Sequence, residues 1–307
     1  MSRKTVGAGG MSRIGADALL LATAAVWGVT FVVQKDIGGL PPLAFVAARF
    51  AVSALAVAPL AVLEGRRAGL PYAPRAWRLA VAIGVLLFLG ASLQQAGLAT
   101  TSATNGGFLT ACYVVLTPFV VWALSRQRPR AIVLGAGVVS VIGAWLLATG
   151  CGPAEPPTTG DGLVLLADLA WAIAIALTPI FLVKTQRPLT LAFSQYAICC
   201  ALAGAASAVF ETAKPESFVA AAPAILFAGL VSGALGYTLQ IVGQRYTPPA
   251  EAALILSLES VFAALAGAIW LGERLTAAGA AGCALILIGA VAAEAAPVFA
   301  GAKPASV

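Results

Sequence analysis

The sequence predicts an all-α integral membrane protein, with ten transmembrane helices forming two inverted five-helix repeats around a central cavity. Three observations lead there. Apolar stretches of about bilayer length fill nearly all of the 307 residues, and a hydrocarbon core roughly 30 Å thick takes about 20 helical residues to cross. Short motifs of the first half recur, in order, in the second. Each half holds an odd number of stretches, so the halves thread the membrane in opposite senses. Barrel strands would alternate apolar and polar residues over about 10 positions. These stretches do not, and backbone groups in lipid must pair internally, so the stretches read as helices.

Composition excludes other classes. The chain is 61% hydrophobic and 10% charged, where a soluble protein has about 25% charged residues. Its mean hydropathy is +0.97. It has no histidine, which removes the commonest general base and the commonest metal ligand. The net charge of +6 sits in short loops between apolar runs, where it reports orientation rather than a nucleic-acid partner. Five cysteines (Cys112, Cys151, Cys199, Cys200 and Cys283) show no CxxC pair and no metal spacing. They read as small buried hydrophobes. No metal and no cofactor is expected.

The spans, in order, are 16–35, 42–63, 76–97, 102–124, 131–149, 161–182, 190–210, 221–242, 249–270 and 277–297. Pro41-Pro42, Pro71 with Pro74, Pro129, Pro153 with Pro156-Pro157, Pro188 and Pro248-Pro249 punctuate the gaps. Ala22-Thr23-Ala24 mimics a signal cleavage site, but the apolar run continues to Val33, so span one is retained. The organisation is then a tail over 1–15, a first repeat over 16–149, an external linker over 150–160, a second repeat over 161–297 and a tail over 298–307. Odd-numbered gaps hold only Lys35, Lys214 and Arg274, and Arg49 lies inside a span. The other fourteen of the eighteen Lys and Arg residues fall in the even-numbered gaps, at their edges (Arg78) or in the two tails. The positive-inside rule therefore places both termini in the cytoplasm.

The repeat shows in matched motifs. Leu93-Gln94 and Gly97 recur as Leu239-Gln240 and Gly243, and Thr101 recurs as Thr247 at the same offset of 146. Leu43-Ala44-Phe45 opens span two, and Leu191-Ala192-Phe193 opens span seven. Asp17 precedes Trp27 by ten residues, as Asp161 precedes Trp171. Inverted repeats place a substrate near the midplane between them.

Residues three and four apart share a helix face. Thr23, Trp27, Thr30 and Gln34 form such a stripe on span one. Gly106, Thr110, Tyr113 and Thr117 do so on span four, and Gly233, Tyr237, Gln240 and Gln244 on span eight. Asp168, Trp171 and Thr178 lie on nearly one face of span six, and span three adds Gln94. Unpaired amides and carboxyls are costly in hydrocarbon, so these faces turn inward. Trp27, Thr30, Gln94, Thr110, Tyr113, Trp171, Tyr237 and Gln240 are the candidate substrate-binding residues. Aromatic walls suit apolar or ring-bearing ligands, and hydroxyls and amides orient an amino-acid backbone. Spans five and ten carry small residues instead (Ala136, Ser140 and Ala144, then Ala278 and Gly282), which suits close packing as scaffold or as a homodimer seam.

Three charges lie deep in spans, where each costs on the order of 2.5–3.5 kcal/mol. Glu259, about ten residues into span nine, is a candidate for coupling or gate closure, with Asp168 and Arg49 beside it in that role. Equal depth, about seven residues from the outer side, suggests an Arg49–Asp168 ion pair. Arg49 snorkelling to the outer headgroups is the alternative. Glu251, near the cytoplasmic end of span nine, is expected to be solvated.

Trp27-Gly28-Val29-Thr30-Phe31, Pro42 with Ala47-Ala48-Arg49-Phe50, Thr101 to Leu109, Ser257 to Phe262 and Leu271-Gly272-Glu273-Arg274-Leu275 resemble signatures of the drug/metabolite transporter superfamily. The likeness is to its ten-helix EamA-type members and spans about residues 16–295. Where that family has proline after the ninth-helix glutamate, Ser260 stands here. The resemblance implies a multi-pass protein of the bacterial inner membrane, monomer or homodimer, that moves small metabolites such as amino acids among membrane lipids. Its nearest likeness is to bacterial aromatic amino-acid exporters, and proton coupling through Glu259 would fit. A proton-coupled multidrug exporter is the alternative, although 20–26 of span one holds none of the acid its four-helix relatives use. An intramembrane enzyme is the distant one: without histidine, and with carboxylates on separate helices, no catalytic constellation is visible. No G-x-x-x-x-G-K-[ST] phosphate loop is present.

Overall fold

The computed structural model describes residues 11–35, 37–68, 74–101, 103–126, 128–150, 158–270 and 276–299. The motif over 271–275, most of the external linker and most of both tails lie outside the described residues. Among the described residues all regular structure is helical. Nine segments among the described residues are long and apolar enough to cross a membrane, and a shorter apolar stretch, Ala277–Ala293, follows them. The chain is a multi-pass membrane protein.

Unbroken spans are Arg13–Lys35 (one), Pro42–Ala68 (two), Pro74–Gly97 (three), Ala131–Thr149 (five), Thr159–Thr185 (six), Pro188–Phe210 (seven) and Ala277–Phe299 (ten). Spans two and six outrun the apolar stretches that predicted them, because helix propagation does not stop where hydropathy does. Span six starts on a capping box, with Thr158 accepting from the Asp161 N–H and Asp161 accepting from the Thr158 N–H.

Three spans are not regular. Span four is two pieces, Ala103–Thr110 and Tyr113–Ser125, and span nine is two pieces, Pro249–Leu256 and Glu259–Trp270. The breaks fall at equivalent positions of the two repeats, offset by 146. Both are tightened turns: Cys112 N–H bonds the Leu109 carbonyl (2.9 Å), and Leu258 N–H bonds the Ile255 carbonyl (3.2 Å). The ninth span thus breaks without a proline, and Ser260 there donates to the Gly107 carbonyl of span four (3.3 Å). Span eight runs from Ala222 to Gly243 around an eleven-residue π-helix, Phe227–Tyr237. Its carbonyls take donors from outside the helix. Ser53 donates to Gly229 (2.7 Å), Trp27 Nε1 to Ser232 (3.2 Å), Tyr196 to Gly233 (3.1 Å) and Thr23 to Gly236 (3.1 Å).

The repeats pack reciprocally. Span one lies on spans eight and nine, as span six lies on three and four; two packs on seven, and five on ten. Glu64, at the end of span two, accepts from the N–H groups of Leu189 and Thr190 that open span seven (3.1 and 2.7 Å). Glu211, at the end of span seven, accepts from those of Leu43 and Ala44 that open span two (2.9 Å each). Each carboxylate thus sits at the positive end of its partner helix. These contacts, and those of Arg245 with Gln186 and Gly38 with Ala220, join even gaps to even and odd gaps to odd. That is the threading expected of helices crossing in alternate directions.

The small residues of spans five and ten meet each other within the chain. A Cβ on Gly143 would lie 2.6 Å from the Gly282 carbonyl oxygen, whereas one on Gly135, in the same helix, would meet nothing within 4 Å. Gly143→Ala should therefore cost about 1–3 kcal/mol by overpacking. Gly135→Ala should be neutral or stabilise by about 0.5–1 kcal/mol. Thermal unfolding of the two variants in detergent checks this; equal midpoints would contradict it.

Candidate functional site

The irregular spans meet at one cavity of about 490 Å³, counting the open space at its mouth. All eight candidate substrate-binding residues line it: Trp27 and Thr30 from span one, Gln94 from three, Thr110 and Tyr113 from four, Trp171 from six, Tyr237 and Gln240 from eight. Arg49 and Glu259 line it as well. The 3.6-residue stripes therefore converge as their spacing suggested. Gln34, further along the span-one stripe, lines it too, whereas Thr117 of span four and Gln244 of span eight do not reach it. Thr117 bonds the carbonyl of Tyr113 (2.8 Å), and Gln244 donates to the carbonyl of Ile175 (3.2 Å).

Matching positions of the two repeats form the walls. Trp27 and Trp171 flank Tyr237, with ring centroids 4.6 and 6.0 Å away. Glycine lets each indole approach its neighbour: a Cβ on Gly236 would lie 2.9 Å from Trp27 Nε1, and one on Gly90 2.7 Å from Trp171 Cε2. Gln94 and Gln240 are another matched pair, and Gln94 donates to the Thr110 hydroxyl (3.0 Å). Tyr113 and Glu259 are a third. Each opens the second half of its broken span, and the two side chains are neighbours. A carboxylate is favoured at such a helix start.

Polar atoms without partners gather here, as at a site built to receive a ligand. The Tyr113 hydroxyl, Glu259 Oε1 and Arg49 Nε are buried without a hydrogen bond among the described residues. Both carboxyl oxygens of Asp168 are also unpartnered. Asp168 does not line the cavity; it lies behind the wall near Cys112 and Glu259.

Three expectations are corrected. Among the described residues no ion pair joins Arg49 to Asp168. The Arg49 guanidinium instead lies over Phe50 and Phe45, its Cζ 4.8 and 5.7 Å from the ring centroids. Span two packs on seven and eight while span six packs on three and four, so equal depth did not bring the charges together. Nor does Arg49 snorkel, being 3% exposed. Glu251 is not solvated: it is 5% exposed and paired with Arg13 (2.7 Å) and Arg130 (3.9 Å). Sequence periodicity missed Phe31, Ile175 and Ser232 of the lining. The first two are ordinary apolar residues, and Ser232 reaches the cavity only because the π-helix shifts the face of span eight.

Each end of the assembly carries one Asp–Thr hydrogen bond between the repeats. Thr247 donates to Asp17 (2.7 Å) and Thr101 to Asp161 (2.5 Å). The two bonds are related by the repeat, so they lie at opposite membrane faces. Among the described residues no group of three or more His, Cys, Asp or Glu side chains is placed to hold a metal.

Comparison with known proteins agrees with this architecture. A relative from Archaeoglobus fulgidus named "Uncharacterized transporter" is 32% identical over 288 residues, covering 93% of this chain and 87% of its own. A solved crystal structure, 15% identical, matches the fold with a TM-score of 0.78 over 95% of this chain and 100% of its own. The family model for EamA-like transporters matches twice, at residues 14–149 and 158–293, once per repeat. On that double match, the chain belongs to the EamA-like transporter family of membrane transporters.

Proposed function

We propose that this transporter moves small neutral amino acids, aromatic ones among them, outward across the bacterial inner membrane by alternating access, with both termini in the cytoplasm. The observation that carries the reading is the shared cavity, where paired tryptophans, amides and the Tyr113–Glu259 couple come from both repeats. Its rings offer an apolar wall, and its amides and hydroxyls offer the sparse, placed polar groups that orient a small ligand. The export direction follows the resemblance in the sequence motifs. The orientation follows the lopsided distribution of Lys and Arg.

Alternation is supported by the twin latches. Two equivalent Asp–Thr bonds at opposite faces would each close one side, with the inward-open and outward-open states each giving up one latch. The inner face adds the Arg13–Asp17 and Arg13–Glu251 ion pairs (2.9 and 2.7 Å). Glu259 is the candidate for proton coupling, since it is 3% exposed and Oε1 has no partner. An intramembrane carboxyl facing a cavity is a functional group by default. Aromatic rings beside Glu259 also favour a second reading, a proton-coupled exporter of cationic drugs.

Uptake into proteoliposomes separates these readings. Labelled aromatic amino acids should accumulate and cationic dyes should not; the reverse would sink the amino-acid reading. Glu259→Gln should flatten the pH dependence of transport, and an unchanged profile would remove the coupling role. The latches are tested in a cysteine-free background carrying Ser232→Cys in the cavity. Asp161→Asn should raise its labelling by impermeant maleimide from outside, and Asp17→Asn from inside. Each shift should be about tenfold or more, since a charge-assisted hydrogen bond contributes about 1.5–3 kcal/mol. Shifts of the same sense in both variants would contradict the arrangement.

A further inference from the structure

We propose that Arg49 is the anchor for a carboxylate group on the transported molecule. The proposal rests on the cavity being the substrate site, as read above, and adds which chemical group the substrate must present. Four observations lead to it. The side chain is 3% exposed and lines the cavity. Among the described residues it has no ion pair, and its Nε has no hydrogen-bond partner. The titratable groups beside it, Tyr237 and Cys199, supply no counter-charge. The guanidinium Cζ lies over the rings of Phe50 and Phe45, 4.8 and 5.7 Å from their centroids.

A guanidinium held in this way is poised for a ligand. Ring faces attract its positive charge but accept none of its in-plane N–H groups, of which it has five. A buried cation without a counter-ion is costly, so a structure that keeps one has a use for it. A carboxylate matches the planar fork with two parallel hydrogen bonds. It would neutralise the charge in the same step, inside a low-dielectric cavity where the pairing is strong.

Phosphate fits less well. Arg49 is the one Lys or Arg among the described cavity-lining residues, and Glu259 lines the same space. A dianion would meet a single cation and a carboxyl. A monocarboxylate that also bears an ammonium group suits both, with its side chain left to Trp27, Trp171 and Tyr237. The neighbouring Ser53 is engaged with the backbone, its single hydroxyl proton shared between the carbonyls of Arg49 and Gly229 (2.9 and 2.7 Å).

The test measures binding of matched acids and amides to the purified full-length protein in detergent: phenylalanine against phenylalaninamide, and alanine against alaninamide, with phenyl phosphate alongside. The wild type should bind each acid at least about tenfold more tightly than its amide, and phenyl phosphate no better than the amides. Arg49→Gln should bring the acid-to-amide ratio close to one by weakening the acid alone. Arg49→Lys should keep part of the preference, because it keeps the charge but loses the fork. Amide binding by the variants reports that the cavity is intact. Equal binding of acid and amide by the wild type, or an unchanged ratio in Arg49→Gln, overturns the anchor while leaving the aromatic reading standing. Preference for alanine over its amide with no binding of phenylalanine keeps the anchor and overturns the aromatic reading. Tight phenyl phosphate binding, or no binding by any compound, overturns both.

Discussion

Polar groups inside a membrane must find partners within the protein, and here each repeat completes the other. Span eight widens into a π-helix, and carbonyls of that stretch are met by Thr23, Trp27 and Ser53 of the first repeat. The carboxylates of Glu64 and Glu211 cap the first turns of the opposite repeat at opposite faces. Five-span halves of this kind are not separable domains. Much of the hydrogen bonding that holds one half exists only when the other is present, inverted, beside it.

The same reciprocity builds the cavity. Equivalent breaks in spans four and nine put Tyr113 and Glu259 at the starts of two half-helices, and equivalent glycines admit Trp27 and Trp171. The symmetry is incomplete in ways that matter. Arg49 has Ala197 as its counterpart at the offset of the span-opening motif, and the tyrosine at the break of span four is a glutamate at that of span nine. The charges on the cavity wall are therefore places where the duplicated halves have diverged. Among the described residues, three of the eight buried side-chain atoms without hydrogen-bond partners belong to Arg49, Tyr113 and Glu259 of the cavity wall, and two more to Asp168 behind it. Unmet polar demand thus gathers at and behind the cavity wall, against the general rule that buried polar groups are paired.

Much of this was legible in the chain, for physical reasons. Lipid imposes a length and an apolar composition on each span, so hydropathy and proline punctuation locate the spans to within a few residues. Helical periodicity then names the inward faces, and the cavity collects Trp27, Thr30, Gln94, Tyr113 and Gln240 from them. Contacts between helices distant in sequence were not legible. Arg49 and Asp168 share a depth but not a neighbourhood, and Glu251 is covered by Arg13 and Arg130 only through the tertiary fold. Asp17, Thr101, Asp161 and Thr247 stood out as repeated residues, yet each pairs with the opposite repeat, which similarity between halves does not reveal. The breaks at 111–112 and 257–258 fall within apolar runs and carry no proline, so periodicity passes over them.

The central claim is that two oppositely oriented modules exchange access to one shared cavity between the membrane faces. Distances between paired spin labels in lipid test it most directly, with one pair at Ile14 and Arg245 on one rim and one at Thr100 and Thr159 on the opposite rim. On adding a transported amino acid the two distances should change in opposite senses, one rim closing as the other opens. Rims that widen or narrow together, or a rim that moves while the other stays fixed, would contradict the account.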